Sequence, residues 1–406
     1  SPSQGRRKVY IIDEAHMLRT PNRRNCMAHH QLSKLATRRL LVTGTPCVNG
    51  PLDLYGICLA GNAPRDGEVD FLLKKSWVTD RSNKTVNRAT VRLLQRFHFN
   101  RVKESILGLP TMHSVCGSYS VGLAPVWVAE YNDVLKSARN LKIRIERSGH
   151  RATARDLQQL MSLIGLMQQF VVCPLLASHG AKAFNETPEL LEQAASEPTG
   201  AFLALAAEIV ELRAKGIMRI VVAAQHVTIL KIVKRYFEKT RPEFGKLFTF
   251  TGEDTQVARN TTVNEFLTCQ AGVLFLSIAA GGVGLNLVPG STAMIFWGSM
   301  TFSPAHRKQC EKRIHRIGQN EEVFIRHLVP YGSADAAIGK IHGDKDALIN
   351  FVLDQDTSGF EEGSSQWKKC GRIVDNCLLL GEDGNFPPMP MVPFMADGSA
   401  MIDEPY

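Results

Sequence analysis

Two neighbouring carboxylates, Asp13 and Glu14, close the apolar run Val9-Tyr10-Ile11-Ile12 and are followed by Ala15 and His16. Such a run reads as a short buried strand that delivers both acids to its carboxyl end. There Asp13 can hold Mg2+ through water, and Glu14 can orient or deprotonate an attacking water. This is the chemistry of nucleoside triphosphate hydrolysis. The competing reading of the pair is an acidic cap at a helix start. Thr43-Gly44-Thr45-Pro46 closes a second run, Leu40-Leu41-Val42. Hydroxyls at a strand end suit coupling to a γ-phosphate, although the same four residues also make an ordinary turn. Far along the chain, Gln309 and Arg313 stand four apart, with Arg316 three further on. A helix over 304–315 places Gln309 and Arg313 on one face. Guanidinium stays charged and binds phosphate through two parallel hydrogen bonds. Aimed at a transferring phosphoryl group, such an arginine is worth ~10³–10⁵ in rate. Gly281, Gly282 and Gly284 permit a tight turn beside phosphate or nucleic acid.

No G-x-x-x-x-G-K-[ST] loop accompanies these residues. Gly245-Lys246 and Gly339-Lys340 lack both the upstream Gly and the following Ser or Thr. Twelve residues precede Asp13, and the chain opens on Ser1 rather than Met. The expectation is a hydrolytic motor cut upstream of its phosphate-binding loop.

The elements that position these residues alternate. Residues 9–12 and 40–43 read as strands, with helical patterns between and after them, including 52–60. Strands then recur at 220–223, 247–250, 273–277, 293–297 and 323–329, with helices expected at about 201–215, 226–239, 256–267 and 304–315. Strand-then-helix alternation predicts α/β lobes built on parallel sheets. Between them, Val128, Tyr131, Leu135, Ala138, Leu141 and Ile145 keep a helical period, as do Leu157, Leu160, Met161, Ile164, Met167 and Val171. The predicted organisation is an incomplete first lobe over 1–115, a helical insertion and linker over 116–200, a second lobe over 201–353, and an irregular tail over 354–406. The 180–200 stretch, with Pro188, Pro198 and Gly200, reads as the linker proper.

The 406 residues carry 48 Lys and Arg against 39 Asp and Glu, a formal net charge of +9. This balance suits an acidic partner, nucleic acid first, and equally suits a merely basic soluble enzyme. Residues 74–103 hold nine Lys or Arg and one acid, Asp80, and residues 136–155 hold seven against Glu146. Each cluster is either a set of phosphate contacts or a solvated helix face. Nine scattered Cys form no C-x-x-C pair, which supports neither a zinc ribbon nor a RING-type insertion and fits a reducing compartment. No apolar run has the length of a membrane span.

Taken together, Val9 to His16, Arg39 to Pro46 and Asn49-Gly50-Pro51-Leu52-Asp53-Leu54-Tyr55 resemble the Swi/Snf-type ATPases of helicase superfamily two. Phe97 to Pro110 is similar to that family's arginine-lysine segment, which ends in Leu-Pro. Phe250-Thr251-Gly252 to Phe266 resembles its fourth motif, Ser277 to Leu287 its fifth, and Gln309 to Gln319 its sixth. The chain departs from the pattern at Ala279, where the family usually has Lys. It departs again at Ser299 and at Phe302-Ser303-Pro304, which stands for Trp-Asn-Pro. The resemblance implies two RecA-like lobes that hydrolyse ATP with Mg2+ and translocate along double-stranded DNA, remodelling nucleosomes or other DNA-bound complexes in the nucleus, or in a nucleoid or viral DNA compartment if the source is not eukaryotic. It implies Asp13, Glu14, Arg313 and Arg316 as catalytic, and His16, Thr43, Gly44, Thr45, Gly282, Gly284 and Gln309 as nucleotide-binding or coupling. It implies Arg101, Lys103, Thr251 and Ser277 on the DNA. Two rival readings are another superfamily-two motor that acts on RNA or separates strands, and a non-catalytic DNA- or protein-binding remnant. The ending His315-Arg316-Ile317-Gly318-Gln319, rather than His-Arg-Ile-Gly-Arg, argues against the first.

Overall fold

A computed structural model of the chain describes residues 8–20, 23–43, 53–61, 107–147, 153–281, 285–299, 304–339 and 366–387. The chain divides into two units, one comprising 1–103, 303–305 and 342–363, the other 104–302, 306–341 and 364–406.

In the first unit, β1 (Val9–Ile12) and β2 (Arg38–Leu41) pair in parallel, Ile12 opposite Leu41. Parallel strands need a crossover, and here α1 (Arg24–Lys34) supplies it. A 3-10 turn, Ala15–Leu18, follows β1, and α2 (Asp53–Ala60) packs against α1 and this turn. Ile12, Ala15, Leu18, Cys26, Ile57, Leu59 and Ala60 form the core beneath the strand ends. The acids therefore leave the sheet at the point where the backbone is clamped by apolar packing.

The second unit is built on a six-stranded sheet, all parallel, in the order β3-β8-β7-β4-β6-β5. Its strands are β3 (Met112–Gly117), β4 (Arg219–Ala224), β5 (Lys246–Phe250), β6 (Gly272–Ser277), β7 (Ala293–Phe296) and β8 (Val323–Leu328). β6 and β7 are buried along their whole length, as expected of central parallel strands covered on both faces. Two cores flank the sheet. Phe202, Leu205 and Ile209 of one helix and Phe237 of another pack on one face. Phe266, Leu287, Cys310 and Ile314 pack on the other. This is the doubly wound α/β class expected from the alternation.

A third core belongs to the helical insertion. Helices α3 (Pro125–Arg147) and α4 (Ala154–Val172) pack through the two periodic stripes read from the sequence. Thr153 and Asp156 cap α4 reciprocally, and their hydrogen bonds hold the exposed Asp156 carboxyl below its usual range. No single described helix is long and apolar enough to cross a membrane.

Four expectations are corrected. The boundary at 115 cuts β3, which pairs with β8 and so belongs to the second sheet. The 180–200 linker is mostly helical. Here α5 (Pro174–Glu186) and α6 (Pro188–Ser196) each begin on a proline, which is tolerated at a helix's first position. The tail contains α12 (Gln366–Asn376), whose Cys370, Ile373 and Val374, with Cys377 just beyond it, are buried against α3 and α4. The helix expected over 304–315 stops at Glu311. The remaining helices are α7 (Gly200–Ala214), α8 (Val227–Thr240), α9 (Gln256–Thr268), the single turn α10 (Ile278–Gly281) and α11 (Pro304–Glu311).

Candidate functional site

In the first unit the chemistry sits on the turn that leaves β1. Asp13 and Glu14 are both exposed. The Asp13 carboxylate accepts the Glu14 amide at 2.8 Å. Glu14 adopts φ 49°, ψ 44°, and it is the one non-glycine with positive φ among the described residues. Backbones of this kind cost of order 1–3 kcal/mol and persist where the surroundings dictate them. Here the flanking backbone is fixed on both sides. The amide of Ala15 donates to the Val42 carbonyl at 2.9 Å, and that of Val42 to Ile12 at 2.8 Å. His16 is buried, with Nδ1 3.0 Å from the Thr43 hydroxyl and 3.2 Å from a Glu14 carboxylate oxygen. The structure thus joins the acid pair to the start of Thr43-Gly44-Thr45-Pro46 through one imidazole. Gly44 and Thr45 lie outside the described residues, as do Arg101, Lys103 and the 74–103 basic cluster.

Among the described residues no three His, Cys, Asp or Glu side chains converge to form a metal cage. Two exposed carboxylates at a strand end are nevertheless a fitting set for Mg2+, a hard cation that keeps its waters and takes few protein ligands.

In the second unit, Arg313 lies beyond the end of α11, in a turn where its amide bonds the Cys310 carbonyl at 2.9 Å. Gln309 and Arg313 therefore do not share a helix face. The Arg313 guanidinium donates from Nε to the Gly281 carbonyl at 2.9 Å, while its own carbonyl accepts the Leu287 amide at 3.1 Å. Arg313 thus ties Gly281 and Leu287 to the 312–318 turn. Gly282 and Gly284 lie outside the described residues. Gly281 packs so closely that an added Cβ would stand 3.0 Å from both Cys310 Sγ and Leu276 Cδ2. Arg316, in contrast, is exposed. His315 Nε2 lies 2.9 Å from the Pro110 carbonyl, which ties the turn to the segment entering β3.

Thr251 and Ser277 sit side by side just past the paired ends of β5 and β6, Phe250 opposite Leu276. Both are buried and engaged in local turns. The Thr251 hydroxyl donates to Asp254 at 3.0 Å, and the Ser277 hydroxyl accepts the Ala280 amide at 3.3 Å. As placed, they shape the loops rather than face solvent. Burial pushes the thiols of Cys58, Cys310 and Cys377 up to about 12 and that of Cys173 to about 11. These four are uncharged at neutral pH, which removes them as nucleophiles. Gln319 was not among the expected site residues, although it closes the sixth-motif resemblance; it follows Gly318, whose φ is 100°.

Comparison with known proteins places these features in context. The SNF2-related domain family matches residues 3–172. The chain is 26% identical over 362 residues to the chromatin remodeling factor mit1 of Schizosaccharomyces pombe, covering 86% of this chain and 24% of that protein. It is 25% identical to the SWI/SNF-related matrix-associated actin-dependent regulator of chromatin subfamily A-like protein 1 of Bos taurus, covering 81% of this chain and 31% of that one. It spans about a quarter to a third of the length of these two relatives. Among solved structures it is similar to the Sulfolobus solfataricus SWI2/SNF2 ATPase core in complex with dsDNA. That similarity has a TM-score of 0.44 and 19% identity, and it covers 86% of this chain and 69% of that one.

Proposed function

From its membership of the SNF2-related, Swi/Snf-type ATPase family of helicase superfamily two, we propose that this chain carries part of a DNA-dependent ATPase that translocates on duplex DNA. The observation that carries the reading is the contact of His16 with both Glu14 and Thr43. It brings the strand-end Glu14 and the Thr43 hydroxyl to one imidazole, which supports a shared role for them in hydrolysis.

In this mechanism Asp13 would hold Mg2+ through water, and Glu14 would orient or take a proton from the attacking water. When bound, Mg2+ neutralises phosphate charge. His16 passes displacement of Glu14 to Thr43, and Arg316 of the second unit offers an exposed positive charge for phosphate. Arg313 couples that turn to Gly281 and Leu287. ATP turnover would then drive stepping along the phosphate backbone. The partner is double-stranded DNA, with nucleosomes or other DNA-bound complexes as remodelling targets, and the compartment is the nucleus. One relative named as a chromatin remodeling factor and one named as a regulator of chromatin support the target.

The test is equilibrium binding of ATP with and without Mg2+, followed by ATP turnover with duplex DNA or RNA added. Mg2+-dependent binding and stimulation by duplex DNA alone are the expected results. Binding with stimulation by RNA would point to the RNA-acting motor instead. Absence of ATP binding would leave a DNA- or protein-binding remnant.

A further inference from the structure

We propose that Gln319 is a positioning residue that sets where Arg316 stands, and that only a carboxamide can do this at position 319. The assignment rests on the functional reading above for what Arg316 does, but not for how Gln319 holds the turn.

Gln319 is 5% exposed. Its Nε2 donates to the carbonyls of Ile314 at 2.9 Å and Ser291 at 3.1 Å. Its Oε1 accepts the amides of Asn320 at 3.1 Å and Glu321 at 3.3 Å. A carboxamide has two donor hydrogens and two acceptor lone pairs, and all four are used. The bond to Ile314 pinches the base of the 315–318 turn, and the Gln319 amide closes it again on the Arg316 carbonyl at 3.0 Å. The two ends of this pinch are anchored differently. Ile314 is fully buried in the core. Ser291 is fixed to the sheet, its hydroxyl donating to the Arg219 carbonyl at 2.9 Å. At the tip, Arg316 is exposed and Ile317 is 74% exposed, and Gly318 supplies the left-handed residue that reverses the chain. The tip has little packing of its own, so its position is set by the base.

The chemistry is specific. Arginine offers only donors and leaves the Asn320 and Glu321 amides without their acceptor. Glutamate offers only acceptors and sets a charge against the Ile314 and Ser291 carbonyls. Methionine fills the space and makes none of the four bonds.

The test compares wild type with Gln319→Met, Gln319→Glu and a core control, Phe266→Leu, by residue-resolved amide hydrogen exchange. The expected result is exchange at Gln319, whose amide closes the turn, faster by roughly tenfold or more in both Gln319 variants, and at Asn320 and Glu321 in Gln319→Met, which alone removes their acceptor, the scale of one lost buried hydrogen bond. In Phe266→Leu these three amides should move no more than the rest of the unit. Unchanged exchange in the Gln319 variants, or an equal change in the control, overturns the proposal. Arg316→Ala, Gln319→Met and the double variant are then titrated with Mg-ATP. A double variant no weaker than Arg316→Ala is expected, and additive losses overturn the assignment. If wild type itself binds no ATP, the functional reading fails while the exchange result still decides the role of Gln319.

Discussion

Adding one methyl group at Gly281 probes the packing that joins the two loops of the second unit. The new Cβ would stand 3.0 Å from Cys310 Sγ and from Leu276 Cδ2, and 3.2 Å from Leu276 Cγ. Ordinary contact begins near 3.4 Å, so both neighbours must yield by a few tenths of an ångström. Neither yields cheaply, because Leu276 and Cys310 are both fully buried. Overpacking of this type costs about 1–3 kcal/mol. Alanine offsets about 0.4–1 kcal/mol of that by restricting the unfolded chain. The net expectation for Gly281→Ala is a loss of about 1–2 kcal/mol. Denaturant unfolding measures it, with Cys310→Ala and the double variant completing a cycle. Removing Sγ leaves room on one side, so the double variant should be more stable than the sum of the singles by at least about 0.5 kcal/mol. A neutral or stabilising Gly281→Ala, or strict additivity with Cys310→Ala, would refute the packing argument.

Ion pairs at two places in the second unit give two further outcomes. Arg326 on β8 and Glu208 on α7 pair at 2.7 Å with side chains only 10% and 14% exposed. Replacing either partner alone should cost about 3–5 kcal/mol, while Arg326→Met with Glu208→Leu should recover most of it, read by urea unfolding. On the surface, Arg235 and then Lys239 hold the Glu192 carboxyl below its ordinary value of 4.5. A depressed carboxyl stabilises the fold above the unfolded value and loses that contribution as pH falls through the folded one. The stability difference between wild type and Glu192→Gln should therefore be constant above about pH 5.5 and shrink on acidification below 4.5. Added salt should also reduce it.

Much of this fold was legible because burial in a parallel sheet leaves a plain signature. Val221, Leu274 and Ile295 fall in continuous apolar runs, and the corresponding strands appear within about two residues of their expected bounds. The stripes of α3 and α4 were equally plain. β3 was not, because Met112-His113-Ser114-Val115-Cys116-Gly117 is an exposed edge strand with no apolar alternation. Helix α12 was hidden by its Gly- and Pro-rich surroundings, although Cys370, Ile373, Val374 and Cys377 keep a helical period. In the candidate site, residue types pointed to Asp13, Glu14, His16, Thr43, Arg313 and Arg316, of which Glu14, His16 and Thr43 lie together. Spacing could not show that α11 ends at Glu311, because the turn beyond that residue is shaped by hydrogen bonds to residues 281–291, far away in sequence. For the same reason Gln319 read as the end of a motif rather than as its foundation.

The central claim is that Asp13 and Glu14 serve ATP hydrolysis driven by duplex DNA. Its most direct measurement is steady-state ATP turnover by this chain with Mg2+, with and without duplex DNA, in wild type and Glu14→Gln. The account predicts DNA-stimulated turnover in wild type, reduced at least 100-fold in Glu14→Gln, the lower end of what a positioned general base contributes, ~10²–10⁴-fold. Turnover that is absent from wild type, or that survives Glu14→Gln unchanged, would contradict it.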